Sequence, residues 1–291
     1  MTAATDRREE GFAQVNGVRL HYVRQGSGPL ALLLHGFPEF WYSWRHQLPF
    51  LARHFTAVAP DMRGYNLSDK PRGVDSYFME ELLGDVRGLI EFFGEKRAVV
   101  IAHDWGGVIA WDLAAFHPEL VDRLVILNAP HPRAYLRELR RNPVQRRASR
   151  YVFRFQLPFF PEWYIRRRNF RMLDRVYSGW VLRKDTFSDE DIRRFKEAMG
   201  QPGCLTAAIH YYRGLFRNPS RFSRLRAYPR IGVRTRIIWA ENDRALTNEL
   251  THDLEPYFTV QPEIRYIPRC SHWVQQEQPE RVNRLLGEFL F

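Results

Sequence analysis

A chain of 291 residues with 45% hydrophobic residues has enough apolar mass for a sizeable core, which excludes a disordered protein. No apolar run approaches the roughly 20 residues that span a bilayer, and residues 1–10 are polar and charged, without the apolar centre of a signal peptide. The net charge of +11 invites a nucleic-acid partner, but residues 131–228 carry 23 Lys and Arg against 8 Asp and Glu, and the rest of the chain 21 against 25.

A solvated, arginine-rich helical face accounts for that middle segment, with an anionic surface or an acidic partner as the sharper alternative. No nucleic-acid-binding motif accompanies it, so no nucleic acid is expected. Cys204 and Cys270 lie far apart, without metal-ligand spacing, and read as free thiols of a reducing cytoplasm.

In chain order, residues 12–15 and 18–23 flank Asn16-Gly17, two residues that tolerate positive φ, which predicts a β-hairpin. Leu30–Leu34 is a continuous apolar run, as in a strand covered on both faces, and it leads into His35-Gly36-Phe37-Pro38. A helix is expected over residues 43–54, a strand over 56–60, a helix over 77–93, a strand over 98–102, a helix over 107–116 and a strand over 124–127. Such alternation predicts an α/β fold with a mostly parallel sheet. It stops near Asn128-Ala129-Pro130-His131-Pro132. From there to about Tyr228 the pattern is helical, aromatic and arginine-rich, with proline breaks. Strands resume at 236–240 and 264–267, and a helix ends the chain over 279–291. The simplest account is an α/β core, residues 1–130 and 229–291, interrupted by an all-helical cap over 131–228.

The most informative stretch is Ala102-His103-Asp104-Trp105-Gly106-Gly107. An acidic residue stands where a strand turns into a helix, with small residues two positions before and two after. That is the spacing of a nucleophile elbow. An Asp there also suits a helix N-cap. As a nucleophile, a carboxylate fits displacement at saturated carbon, leaving an ester on the enzyme for water to cleave.

Partners follow in the order nucleophile, acid, histidine. Asp243 stands in Ala240-Glu241-Asn242-Asp243-Arg244 and His272 in Arg269-Cys270-Ser271-His272-Trp273, each after a strand. A neutral imidazole can take a proton from the attacking water. Asp243 would orient the ring, with Glu241 as the competing acid. The amides of Trp105 and Phe37 are the candidate oxyanion hole, where one donor is worth about 3 kcal/mol.

Residues 35–45, His35-Gly36-Phe37-Pro38-Glu39-Phe40-Trp41-Tyr42-Ser43-Trp44-Arg45, resemble the soluble epoxide hydrolases of the α/β-hydrolase superfamily. So do Asp61-Met62-Arg63-Gly64-Tyr65 and His103-Asp104-Trp105-Gly106-Gly107. The resemblance covers essentially the whole chain after about Phe12. It is nearest to the epoxide hydrolase-like branch, with Asn-Ala-Pro-His-Pro at 128–132. It implies an eight-stranded type of mostly parallel sheet with an inserted all-helical cap, the Asp nucleophile, the His/acid pair, and two lid tyrosines that bind the epoxide oxygen. Tyr151 looks like the first of these and Tyr212 like the second, with Tyr211 beside it as the alternative donor. Ala102 replaces a glycine found in many relatives and keeps the position small. No metal or organic cofactor is implied.

The expected function is hydrolysis of an epoxide to a vicinal diol, with Phe37, Trp105, Tyr151 and Tyr212 contacting the substrate. A phenol, with pKa near 10, can protonate the departing alkoxide. Phe37, Trp105, Phe153, Phe155 and Trp273 near the presumed cleft suggest an apolar epoxide. Haloalkane dehalogenation is the nearest rival, but Phe37 lacks the side-chain donor that would hold a halide, and Trp105 cannot pair with a substrate carboxylate as Arg would. A binding protein that kept the fold and lost its chemistry is the second rival. The sequence leaves a homodimer open.

Overall fold

The computed structural model of the protein describes residues 7–291, so the outer part of the polar start, residues 1–6, lies outside the described residues. Strands β1 (Glu9–Val15) and β2 (Val18–Gln25) form the expected hairpin. Asn16 and Gly17 take φ of 45° and 73°, the left-handed values a two-residue turn of this hand requires. With β3 (Leu30–Leu34), β4 (Thr56–Pro60), β5 (Ala98–His103), β6 (Val121–Leu127), β7 (Thr235–Ala240) and β8 (Glu263–Ile267) they make an eight-stranded sheet in the order β1-β2-β4-β3-β5-β6-β7-β8.

The pairs β1–β2 and β2–β4 are antiparallel and every other pair is parallel. Strands β3, β5 and β7 are buried along their whole length, which is why Leu30–Leu34, residues 98–102 and residues 237–240 are apolar throughout. From β3 the sheet grows to β4 on one side and β5 on the other. The carboxyl ends of β3 and β5 therefore flank the switch point, where open α/β sheets hold their ligands.

The first helices are α1 (Leu48–Leu51), α2 (Met79–Phe92) and α3 (Asp104–Phe116). The single helix expected over residues 43–54 is instead a 3₁₀ turn, Trp41–Trp44, followed by α1. Pro49 is the cause: it has no N–H for the ladder and its ring would strike the carbonyl four residues back. A new helix must start there, with the proline in its first turn.

Between β6 and β7 the chain leaves the sheet for α4 (Pro132–Arg141), α5 (Pro143–Ala148), α6 (Arg150–Arg154), α7 (Phe160–Trp180), α8 (Asp189–Gly200), α9 (Cys204–Arg217) and α10 (Arg221–Arg226). Prolines open α4 and α5 and stand in the first turn of α7. Ser188 and Asp191 form a capping box on α8. Helix α7 is two helices in effect: Arg167 is extended, and Arg168, Asn169 and Phe170 follow at φ of 53°, 49° and 57°. The chain closes with α11 (Val274–Glu277) and α12 (Pro279–Leu290).

The helical insertion is tied to the strand ends beneath it. The Tyr177 hydroxyl donates to the Pro38 carbonyl at 3.0 Å and the Tyr211 hydroxyl to the Arg63 carbonyl at 2.7 Å. Cys204 and Cys270 are free and buried. Among the described residues, no helix is long and apolar enough to cross a membrane.

Candidate active site

Strand β5 ends at His103, and the chain turns into α3 with Asp104 at φ 47°. A left-handed conformation at a non-glycine residue costs on the order of 1–3 kcal/mol and persists only where the surroundings enforce it. Here they do so through close backbone packing. A methyl group at Gly36 would come within 2.3 Å of the Asp104 Cβ, and one at Gly106 within 2.3 Å of the Leu34 carbonyl oxygen. Glycine at both places lets β3 and the elbow meet, and the turn lifts the Asp104 carboxylate off the sheet.

The Phe37 N–H donates to Asp104 Oδ1 at 2.8 Å. Trp105, the second residue of α3, has an N–H with no carbonyl four residues earlier inside the helix to accept it. On the other side of the carboxylate, His272 Nε2 lies 3.7 Å from Asp104 Oδ2. The opposite ring nitrogen, Nδ1, donates to Asp243 Oδ2 at 2.6 Å. Glu241, the competing acid, points outward and is exposed.

Asp243 is held from three sides. The amides of Ala245 and Leu246 donate to Oδ1 at 2.7 and 3.1 Å, and Asn128 Nδ2 donates to Oδ2 at 2.8 Å. Burial raises its pKa, but the charge and hydrogen bond of His272, with these donors, outweigh burial and leave it lowered. Burial alone would pull His272 down. The Asp243 carboxylate, and after it the charges of Asp104 and Glu39, overcome this and lift His272 to about 9.

Two supporting residues had no role assigned from the sequence. Asn128 accepts from the Ala240 N–H at 2.8 Å while it donates to Asp243, so it joins β7 to the acid. Glu39 is 1% exposed and binds His103 Nδ1 through Oε2 at 2.8 Å. Its Oε1 accepts from Gln276 at 2.6 Å. His103 Nε2 in turn donates to the His272 carbonyl at 2.9 Å. Burial works against the Glu39 carboxylate, but the charge of His103 and its hydrogen bond leave the carboxyl pKa lowered. Both residues stand inside the motif stretches 35–45 and 128–132. Only their buried polar character could have marked them, and burial is not visible in one sequence.

The rings of Tyr151 and Tyr212 lie 5.8 Å apart, and Tyr212 packs edge-on against Trp105 at 5.0 Å and Phe37 at 5.6 Å. Burial first, then nearby tyrosines and the Asp104 charge, hold both phenols well above 10, so both stay protonated donors. Tyr211 differs, because its hydroxyl is already bound to the Arg63 carbonyl. Tyr212 instead shares side-chain hydrogen bonds with Tyr151 and Trp105, beside Asp104.

Two cavity lobes meet at Asp104, Tyr151 and Tyr212. The wider, about 630 Å³, is lined by Phe37, Phe155, His272 and Trp273 among others. The narrower, about 140 Å³, runs past Trp105 and Val108 toward Leu225. Phe153, expected near the cleft, faces outward, 55% exposed and packed against Phe216. The turn of α6 sends its neighbours Val152 and Phe155 inward and leaves Phe153 on the other side. Among the described residues, no group of His, Cys, Asp and Glu is arranged to hold a metal ion.

The pattern of the alpha/beta hydrolase family matches residues 31–285. The chain is 41% identical to the AB hydrolase superfamily protein YfhM of Bacillus subtilis (strain 168), over 96% of each chain. It is 37% identical to epoxide hydrolase 2 of Caenorhabditis elegans, over 96% of this chain and 79% of that one. A crystal structure of a point mutant of an epoxide hydrolase from Bacillus megaterium superposes with a TM-score of 0.88 at 34% identity, over 96% of this chain and 99% of that one. With this sheet, this elbow and these relatives, the chain belongs to the alpha/beta hydrolase family and, within it, to the epoxide hydrolase-like branch.

Proposed function

We propose that the protein hydrolyses an apolar epoxide to a vicinal diol through an ester on Asp104. What carries this is one arrangement: a carboxylate raised on a left-handed elbow, with the Phe37 amide on one oxygen, His272 beside the other, and Tyr151 and Tyr212 lining the cavity they share with it. The epoxide hydrolase names of the relatives support the same chemistry. The partners are then a small apolar epoxide and water, in the cytoplasm. Residues 131–228 act as a cap that brings both tyrosines to a core made of residues 1–130 and 229–291.

In the first step Asp104 Oδ2 attacks a ring carbon. The C–O bond of the epoxide breaks, its electron pair passes to the ring oxygen, and Tyr151 and Tyr212 donate to that oxygen as charge develops. Oδ1, already held by the Phe37 amide, becomes the ester carbonyl oxygen. Esterification removes the negative charge of Asp104, one of the charges that raise His272, and so moves the imidazole toward its neutral form. Neutral His272, oriented by Asp243, then takes a proton from water, and the hydroxide adds to the ester carbonyl carbon. The amides of Phe37 and Trp105 hold the tetrahedral oxyanion. Its collapse expels the diol oxygen, which His272 protonates, and the proton left on the Asp104 carboxyl replaces the one the first alkoxide took from a lid phenol, so that the carboxylate and both phenols are restored.

A single turnover in ¹⁸O water, followed by digestion, tests the sequence of steps. The label is expected in the Asp104 carboxylate and not in the diol of the first turnover. Label in the first diol with none on Asp104 would overturn the ester. Halide release from haloalkanes with no diol from a broad epoxide panel would turn the assignment to dehalogenation.

A further inference from the structure

Residues 140–175 hold eleven arginines and two acids, Glu162 and Asp174. Both acids are engaged from inside the insertion, Glu162 by Arg213 at 2.6 Å and Asp174 by Lys196 at 3.0 Å. All eleven arginines are exposed, and among the described residues none of them lies in an ion pair with a carboxylate. Charge alone would suit a solvated face.

The same segment also carries unpartnered apolar surface. Phe159 is 84% exposed and Trp163 59%, with Phe153, Leu157, Phe160 and Tyr164 also exposed. The ring of Phe160 lies 6.0 Å from that of Trp163 and 6.1 Å from that of Tyr164, so these three form one patch. The Arg167 guanidinium sits over both Trp163 and Tyr164, at 5.2 and 5.4 Å from the ring centres. An apolar patch of this kind, rimmed by cations, marks an interaction site rather than ordinary surface.

Two further observations identify the partner. Arg167, Arg168, Arg171 and Arg175 surround one small pocket beside Tyr164, at the left-handed break in α7. No carboxylate lines it. Guanidinium groups gathered this way suit the oxygens of a phosphate. The wider cavity lobe, which leads to Asp104, is lined on this side by Arg147, Arg150, Arg154, Phe160 and Tyr164. Tryptophan, tyrosine and phenylalanine among arginines are the composition of a surface that lies in the headgroup layer.

We propose that this face of the insertion docks on an anionic phospholipid bilayer. Phe159 and Trp163 enter the boundary between headgroups and acyl chains, the arginines pair with lipid phosphates, and the wider lobe faces the lipid. The docking rests on the surface alone. That the lobe receives its apolar epoxide from the bilayer rests on the function proposed above.

Flotation of the full-length protein with vesicles of phosphatidylcholine, with and without 30 mol% phosphatidylglycerol (about a third anionic, enough to set a negative surface potential), tests the docking. Binding is expected to the anionic vesicles, to weaken with salt, and to fall at least roughly tenfold on neutral vesicles. Phe159→Ser with Trp163→Ser is expected to lower binding about tenfold or more. Arg171→Gln should weaken it roughly fivefold. Neither change should alter the rate on a water-soluble epoxide, which also shows that the variants fold.

The docking is overturned by wild-type protein that turns over the soluble epoxide but ignores anionic vesicles at low salt. It is equally overturned if the Phe159 and Trp163 changes leave binding untouched. A dimer in light scattering that these two changes dissociate would make the face a contact between copies and overturn the lipid assignment. Vesicle binding by a protein inert toward all epoxides would support the docking and remove the proposed reaction.

Discussion

Glu39 Oε2 holds His103 Nδ1 at 2.8 Å in a pair with almost no solvent exposure. Both nitrogens of His103 face acceptors, the Glu39 carboxylate and the His272 carbonyl, so the geometry calls for an N–H at each. The pair therefore couples the residue before Asp104 to the backbone of His272.

Glu39→Gln breaks this pair from one side. A buried ion pair that loses one partner costs on the order of 3–5 kcal/mol, so a clear loss of stability is expected in denaturant unfolding. The Glu39 carboxyl titrates below its usual 4.5, so its contribution is complete above that pH and is lost as the pH falls through the lower folded value. The variant should show a flatter acid limb in a stability–pH profile. An acid limb as steep as that of the wild type would remove Glu39 from this role.

His272 carries the opposite sign. Its folded pKa of about 9 lies above the usual 6.5, so the stability it contributes is complete below 6.5 and is lost as the pH rises through about 9. Asp104→Asn keeps the side-chain shape and removes one of the raising charges. NMR titration of the His272 ring should then give a value below that of the wild type. An unchanged value would mean that the ester cannot switch the imidazole in the way proposed.

Removal of the base should separate the two half-reactions. His272→Gln is expected to leave alkylation in place and to slow ester hydrolysis by roughly 10³-fold or more. Intact-protein mass spectrometry should find a gain of one substrate mass, mapping to Asp104. An adduct at any other residue would refute the nucleophile.

Tyr151→Phe and Tyr212→Phe should each slow alkylation roughly 10- to 100-fold, the worth of a hydrogen bond to a developing charge. The double variant should be slower than either. Tyr211→Phe should spare the chemical step, because its hydroxyl binds the Arg63 carbonyl. Rapid-mix measurement of the ester burst distinguishes the three.

Asn128→Ala leaves the Ala240 N–H without its acceptor and takes one donor from Asp243. A buried orphaned donor costs about 1–3 kcal/mol. The expected result is a lower melting temperature, with ester hydrolysis slowed more than alkylation. Equal slowing of both steps would point to a general loss of structure instead.

The chain showed its sheet and its elbow openly because both leave local marks. Leu30–Leu34 had to be apolar throughout because every residue of the strand is buried, and Gly36, Asp104 and Gly106 record a close approach that tolerates no larger side chain at the two glycines. Asp104, Asp243 and His272 were readable from their order and their positions after strands. Glu39 and Asn128 were not, since their partners lie far away in sequence and come together only through packing. The same limit explains Tyr211 and Tyr212. Adjacent residues on a helix point in different directions, and the carbonyl that binds Tyr211 belongs to the loop after β4. Pro49, inside the helix expected over residues 43–54, marks instead the start of a separate helix.

Two lobes meet at Asp104, Tyr151 and Tyr212, so the mechanism proposed above puts the reacting ring in the middle of the binding space rather than at its end. An epoxide inside a long molecule can therefore be reached, with one substituent in each lobe. The lobe on the side of Phe155 and Trp273 is the roomier, so the larger substituent belongs there. That choice sets which ring carbon faces Asp104. Regiochemistry then follows from the space on either side of the carboxylate, and a bulky substitution at Val108 or Met172 would reverse or sharpen it without touching a catalytic atom.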